Sequence, residues 1–368
     1  MSKRSNPLPA KKILFVLEHF YPYIGGAEKL FYVLTTALAK RGYEITVITT
    51  LFDKKLPKEE IHEGVKIVRI NCFNRFAFTF LSLPAVIRHA HRSDLIHTTT
   101  YNAALPASIA GKLTGKPVFV TFHEVWGDLW KRLPFTSFIQ KNAFYYFEKI
   151  LLKLPFRRFI AVSEFTKREL IKHGILESKI ARIYNGIEYD DFKNYSPSPP
   201  SIFTFTYFGR LGISKGLDLL IPAAAAFRQS FSNSKFKLII PKQPKPLYNT
   251  IIKLIEKHDL TDYIEFHHNL PRAVLRQEIL HSSCIVISSY SEGFCFAAAE
   301  TVALQVPIIS SHQGALAEVV SGPHIALSEM TVAELTHALK AAYLQEWSKK
   351  PIRYFHLSDT IDAYTKLY

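Results

Sequence analysis

Cysteine is scarce in this chain: 368 residues hold three, Cys72, Cys284 and Cys295, with no CxxC pair and no His/Cys cluster at zinc spacing. So odd and scattered a set excludes a disulfide framework and fits small, packed thiols in a reducing compartment. Long apolar runs are lacking as well. FAFTFLSLPAVI, from Phe76 to Ile87, is the longest and stays well under the roughly 20 residues that a membrane-spanning helix needs. The opening MSKRSNPLPAKK is basic but holds no apolar signal core, so a cytoplasmic, unexported protein is expected. No GxGxxG occurs, and no Asp-x-Asp stands at a strand end. Asp190 and Asp191 are adjacent in GIEYDDFKN, where a turn or capping role is expected. His267 and His268 share a strand end but alternate faces, which argues against a joint metal site. Chemistry without metal or cofactor is the expectation.

Positive charge is abundant. The formal net charge is +15, and up to Tyr195 there are 30 Lys and Arg against 17 Asp and Glu, an excess of 13. Such a field favours anionic partners: phosphate ligands, acidic lipid headgroups or nucleic acid. Nucleic acid is set aside, because no recognised motif and no aromatic strand face accompanies the charge.

With 48% hydrophobic residues the chain is expected to fold as a globular protein, and 368 residues exceed what one core usually supports, so two domains follow. Short β-branched runs alternate with helical patterns: KILFVL, EITVITT, VKIVRI, DLIHTT, PVFVTFH and RRFIAVS, then, after YSPSPP, FTFTYFG, FKLII, YIEFHH, CIVISS and PIIS. Strand–helix alternation builds doubly wound parallel sheets. The pattern predicts an α/β protein with two Rossmann-like domains facing a cleft: residues 1–195, residues 196–350, and a C-terminal helix in 351–368 returning to the first domain.

The segment Ser289–Val320 sets Glu292 and Glu300 eight positions apart across a strand-to-helix turn. Gly293 can supply the turn, a helix starting near Phe294 offers its N-terminus to an anion, and Glu300 then lies on the order of 10 Å along the axis. One carboxylate can address each end of a nucleotide-sized ligand. In YFGRLGISKGLDLL, Arg210 and Lys215 stand among Gly209, Gly212 and Gly216 ahead of a new helix, a pairing that suits a diphosphate and equally describes a solvated loop. Gly25 and Gly26, between the first strand and helix, allow close backbone approach to a ligand or simply make a tight turn.

GGAEK, TFHE with His123, AVSEFTKREL, IYNGIE, FGRLGISKGLD and SEGFCFAAAETVALQVPII, in that order, resemble the retaining glycosyltransferases of family 4, which have the two-domain B-type fold. The resemblance implies that the second domain binds a nucleotide-diphosphate sugar and the first binds the acceptor. It implies that Arg210 and Lys215 grip the diphosphate and that Glu292 sits by the transferred sugar beside the Gly293 and Phe294 N–H groups. Glu300 would bind the ribose, Gly26 would approach the donor from across the cleft, and His123 would contact its sugar. Alternatively, His123 is a satisfied histidine at a buried strand end. Cys295 and Phe296 follow the Glu-Gly-Phe triplet where other shapes are common, so sugar selectivity is open there. The loop KLIIPKQPKPLYN has no glycine where the family usually has a glycine-rich turn.

The function so implied is retaining, metal-independent transfer of a hexose from a UDP- or GDP-linked donor to a glycan or lipid-linked acceptor in envelope polysaccharide or glycolipid synthesis. A non-catalytic sugar-nucleotide or glycan-binding protein, or a sugar-nucleotide epimerase of the same fold, are the alternatives. From Trp126 to Phe159, aromatic residues interleave with Lys131, Arg132, Lys141, Lys149, Lys153, Arg157 and Arg158. Such a helix can lie on an acidic membrane surface, or its Phe144, Phe147, Ile150, Leu151 and Leu154 can pack on the sheet.

Overall fold

Eight strands and then seven form two separate sheets in a computed structural model that describes residues 11–23 and 25–368. Residues 1–10, most of the basic opening stretch, lie outside the described residues. The first sheet contains β1 (Lys12–Val16), β2 (Glu44–Thr50), β3 (Glu59–His62), β4 (Val65–Ile70), β5 (Leu95–Thr99), β6 (Val118–Phe122), β7 (Arg158–Ala161) and β8 (Ile180–Arg182). Their order is β3-β4-β2-β1-β5-β6-β7-β8, parallel apart from the edge hairpin of β3 and β4. The second sheet contains β9 (Phe203–Phe208), β10 (Ser234–Ile239), β11 (Ile264–His267), β12 (Cys284–Ile287), β13 (Ile308–Ser310), β14 (Gly322–Ala326) and β15 (Ser348–Lys350). Here the order is β11-β10-β9-β12-β13-β14-β15, with only β15 antiparallel.

Central strands are apolar on both faces, because helices cover both sides of a parallel sheet. Along β1, Leu14 and Val16 enter one core while Ile13 and Phe15 enter the other, the period-two consequence of the pleat. Every residue of β9 is buried. Parallel strands carry their ligand-facing loops at one edge, and in both domains those loops face the other domain.

The two domains are also joined away from that edge. The helix Leu357–Leu367 packs on the first sheet, where Tyr364 is fully buried and its hydroxyl lies 3.1 Å from Thr121 Oγ1. Arg41 donates to Asp362 at 2.6 Å, and the Tyr368 hydroxyl bonds His97 Nδ1. The His97 ring is held neutral, its pKa pushed down to about 3 by burial and next by the nearby His123. Glu318, on the short helix Leu316–Val319 of the second domain, accepts from the Glu164 and Phe165 amides at 2.9 and 2.6 Å and from the Tyr184 hydroxyl at 2.8 Å. Its carboxylate caps the first-domain helix Glu164–Lys172, where an anion meets unpaired N–H groups and the positive end of the helix dipole.

Among the described residues no helix is long and apolar enough to cross a membrane. Phe76–Ile87 forms two short helices, Phe78–Leu81 and Leu83–Ala90. The basic, aromatic segment forms Leu129–Arg132 and Phe138–Leu152. On the latter, Glu148, Leu151 and Leu152 are buried, and the Phe144 ring lies tilted against Trp130 with centroids 5.0 Å apart. Ile150, expected from its spacing on the packing face, is instead 54% exposed, as are Phe138 at 81% and Ile139 at 79%. The residue spacing does place Ile150 beside Phe147. The inward position next to it is taken by Glu148, which accepts from the Trp126 and Gly127 amides and the Trp130 indole.

Candidate active site in the interdomain cleft

The Arg210–Gly216 loop and the Ser288–Gly293 loop leave adjacent strands, β9 and β12, and are bonded to one another. Tyr290 N donates to Ser214 O at 2.7 Å and Ser288 Oγ to Lys215 O at 2.9 Å. Gly216 is left-handed (φ +67°), and a Cβ there would lie 1.8 Å from Ser288 O, so only glycine admits this contact. The clasp carries Lys215 to Glu292: Lys215 Nζ lies 2.7 Å from Glu292 Oε1, which also accepts from Ser289 Oγ at 2.6 Å. Burial, the largest influence, would lower the Lys215 pKa, but Glu292 and the acidic groups around it, Cys295, Tyr207 and Glu124, together more than offset that and raise it, so the ammonium stays charged.

The turn after Glu292 differs from the sequence expectation. The helix begins at Phe296, not near Phe294, and the left-handed residue is Cys295 (φ +70°), not Gly293. A non-glycine residue in that region is uncommon and carries strain of about 1 kcal/mol or more. Gly293 is needed for another reason. A Cβ on it would lie 1.5 Å from the His123 carbonyl oxygen and 2.8 Å from Glu124 Cγ, so the two domains touch at this point. The Phe294 side chain is buried against Phe296 and Phe355, which leaves its backbone as the part available to a ligand. The Cys295 thiol is held protonated, its pKa raised by burial and then by the Glu292 charge.

Further first-domain groups meet the same region. Arg210 lies over the paired glycines, with Nη1 4.0 Å from Glu28 Oε2. A Cβ on Gly25 would lie 1.9 Å from that oxygen and 3.2 Å from Arg210 Nη1. A Cβ on Gly26 would be 2.6 Å from the Phe296 ring, so the first turn of the Phe296–Ala303 helix abuts the glycine pair. Glu300 is one turn further along that helix on the same face. Burial raises its pKa, while the charges of Lys29, Arg272 and Arg276 oppose that rise. His123 is neutral, its pKa pushed down to about 4 by burial and then by Arg210, and its Nε2 is enclosed without a partner. Gly209 (φ +150°) starts the turn that aims Arg210.

Arg210, Lys215, Glu292, Glu300, His123, Gly25, Gly26, Gly293 and Cys295 thus gather where the domains meet. Arg210 and Lys215, read from sequence as free cations, each face a carboxylate, Glu28 and Glu292. Glu28, Lys29, Arg272, Arg276 and Glu318 received no role from sequence reasoning. Glu28 and Lys29 stood within GGAEK, a legible signal, whereas Arg272 and Arg276 come from a helix far along the chain. Asp191 is a correction: rather than only closing a turn, it pairs with Arg276 at 2.9 Å. Among the described residues one cluster has metal-ligand types in reach, Glu265, His267 and Glu278. Lys237 donates to Glu278 at 2.5 Å and already neutralises part of that charge.

Comparisons with known proteins agree with this architecture. The profile of Glycosyltransferase Family 4 matches residues 24–191, and that of Glycosyl transferases group 1 matches residues 189–349. The chain is 23% identical over 350 residues to a phosphatidylinositol N-acetylglucosaminyltransferase subunit from Arabidopsis thaliana, covering 91% of this chain and 74% of the relative. The Homo sapiens counterpart is 24% identical over 352 residues, covering 90% and 68%. Among solved structures, sucrose-phosphate synthase from Thermosynechococcus elongatus has a TM-score of 0.78 at 18% identity, covering 97% of this chain and 95% of that one. Anabaena HepE in complex with UDP and glucose has a TM-score of 0.70 at 18% identity, covering 97% and 94%. With both halves matched in order and the two sheets facing one cleft, the chain belongs to the B-type glycosyltransferases of family 4.

Proposed function

We propose that this glycosyltransferase moves a hexose from a nucleotide-diphosphate sugar to a glycan or lipid-linked acceptor, with retention of anomeric configuration and without a metal. The observation that carries the reading is the clasped Lys215–Glu292 pair at the mouth of the cleft, with Arg210 beside it across the glycine turn. A diphosphate entering there replaces carboxylates as the partner of two cations, and the exchange leaves Glu292 free to face the sugar. The C1–O bond to phosphate breaks with its electron pair passing to the phosphate. The acceptor oxygen attacks from the same face, and its proton goes to the departing phosphate oxygen. Arg210 and Lys215 stabilise the charge that develops. Glu300 accepts from the ribose hydroxyls in charge-assisted bonds, roughly twice as strong as neutral ones.

Glu292 is assigned contact with the transferred sugar and not the part of a nucleophile; Ser289 Oγ, 2.6 Å from its Oε1, still bonds it when the diphosphate takes Lys215. Incubation with UDP-, GDP- and ADP-sugars in EDTA, followed by intact-mass measurement and anomer analysis, tests this. Turnover of one donor without a protein–sugar adduct and with a retained anomer is expected. A covalent adduct on Glu292, or activity that returns only with magnesium or manganese, overturns the mechanism. The relatives' names favour a second donor reading, an N-acetylhexosamine, which the same donor series distinguishes.

The acceptor side supports a lipid carrier and peripheral membrane contact on the cytoplasmic face. Phe138, Ile139, Tyr146 and Ile150 are exposed on the helix that also carries Lys141 and Lys149, and the first domain holds most of the net positive charge. Each cation near an acidic surface contributes about 1 kcal/mol. Co-sedimentation is expected with acidic vesicles, weakening at high salt, and little with neutral ones. Equal pelleting with both, or none, removes the membrane reading.

A further inference from the structure

Glu124 stands next to His123 at the C-terminal end of β6, and its side chain reaches the second domain: a Cβ on Gly293 would lie 2.8 Å from Glu124 Cγ. Its Oε1 is enclosed facing two polar atoms, Ser291 Oγ and Trp126 Nε1, and none of the three reaches full hydrogen-bond geometry. Three adjacent orphans at a domain boundary call for an explanation, since buried polar groups are nearly always bonded. The surrounding charges supply one. Glu292 and Lys215 face Glu124 from the second domain, with the protonated Cys295 thiol on the same turn. On the first-domain side are Tyr101 and Glu148, and His123 is its neutral neighbour.

Two carboxyl groups therefore share one ammonium. Lys215 is committed to Glu292 at 2.7 Å, and Ser289 adds a second donor to the same oxygen. Glu292 is thereby the member bridged to the ammonium, and like charges in such a site cannot both ionise cheaply. We propose that Glu124 is a positioning residue which stays a neutral acid at the domain boundary, its O–H tying the first domain to the turn that carries Glu292, so that closing the cleft takes up a proton. This rests on the reading that Glu292 faces the transferred sugar. The direction of ionisation agrees: burial, then the Glu292 charge, pushes the Glu124 pKa up to about 8, with Lys215, Trp126 and Ser291 opposing.

With the cleft open, Glu124 is hydrated and ionises in the ordinary carboxylate range near about 4.3. With the cleft closed it keeps its proton to about pH 8. Closure binds a proton between those limits, so it is favoured at lower pH and loses up to about tenfold per pH unit as pH rises through that window, levelling off above it.

Two measurements test the proposal. In the infrared spectrum of the intact protein closed on whichever of UDP, GDP or ADP stabilises it, wild type should show the carbonyl band of a protonated carboxyl at pH 7 that bleaches near pH 8 and is missing from Glu124→Gln. A carboxylate already ionised at pH 6 overturns the idea, whatever the enzyme's donor proves to be. In donor turnover, wild-type kcat/KM should fall by at least about tenfold from pH 6 to pH 8, and Glu124→Gln by less than about twofold. Glu124→Asp, which keeps an acid on a shorter stem, should retain a slope with a displaced midpoint. A Gln variant with the wild-type slope would assign Glu124 a packing role only.

Discussion

Lys215→Ala is expected to lower kcat by about 10²–10³, the effect typical of removing one preorganised group from developing negative charge. Two losses combine. The diphosphate loses a cation at the moment its charge grows, and Glu292 loses the partner 2.7 Å away that orients it. The second loss also reaches the resting protein. Leaving a fully buried charge unpaired costs about 3–5 kcal/mol; the Glu292 side chain left behind is only 10% exposed but keeps the Ser289 hydroxyl, so a loss at the lower end, about 3 kcal/mol, is expected. Lys215→Arg does not restore the rate, because a planar fork cannot reproduce a point charge between Glu292 and a phosphate. Steady-state kinetics well below the variant's melting temperature separates the two losses. A kcat within about threefold of wild type, about 0.7 kcal/mol of barrier, would mean that Lys215 does not touch the departing phosphate.

Gly293→Ala is expected to reduce transfer by about 10² while leaving each domain folded. The glycine is not left-handed, so alanine is conformationally acceptable there. The added carbon instead meets a backbone oxygen, that of His123, the residue that follows β6, at 1.5 Å, far inside van der Waals contact. The domains must part, which separates His123 and the glycine pair from the Glu292 turn. Thermal unfolding should shift by no more than about 4 °C, because the collision lies between domains and not within a core. Gly216→Ala is the contrast. Its collision at 1.8 Å with Ser288 O is internal to the second domain and its φ is +67°, so that variant should lose stability as well as rate. Unchanged turnover in Gly293→Ala would show that the contact is not part of the working enzyme.

Local signals explain what could be read in advance. Alternating periodicity identified both sheets, since each strand and helix is set by its own residues and the order of strands follows from the connections. The Glu292–Glu300 spacing and the Arg210–Lys215 turn were legible because each lies within one strand-to-helix unit. Contacts between units were not. Glu318 is one acid in the short apolar stretch LAEVV, and nothing within it tells that it caps a helix more than a hundred residues earlier. The left-handed Cys295 was missed for a related reason. Composition pointed to Gly293 as the turn residue, yet that glycine is required by a neighbour from the other domain. Ile150 obeyed helical spacing but lost its inward place to Glu148, whose three donors come from the preceding loop and the short helix Leu129–Arg132 and not from its own helix.

The central claim is an exchange of partners: Arg210 and Lys215 leave Glu28 and Glu292 for a diphosphate. A crystal structure of the protein with the nucleoside diphosphate that stabilises it most tests this directly. The account predicts phosphate oxygens within hydrogen-bond distance of both cations and of the Gly293 and Phe294 amides, with the ribose against Glu300. A nucleotide seated elsewhere, with Lys215 still paired to Glu292 and Arg210 still over the glycine turn, would contradict it.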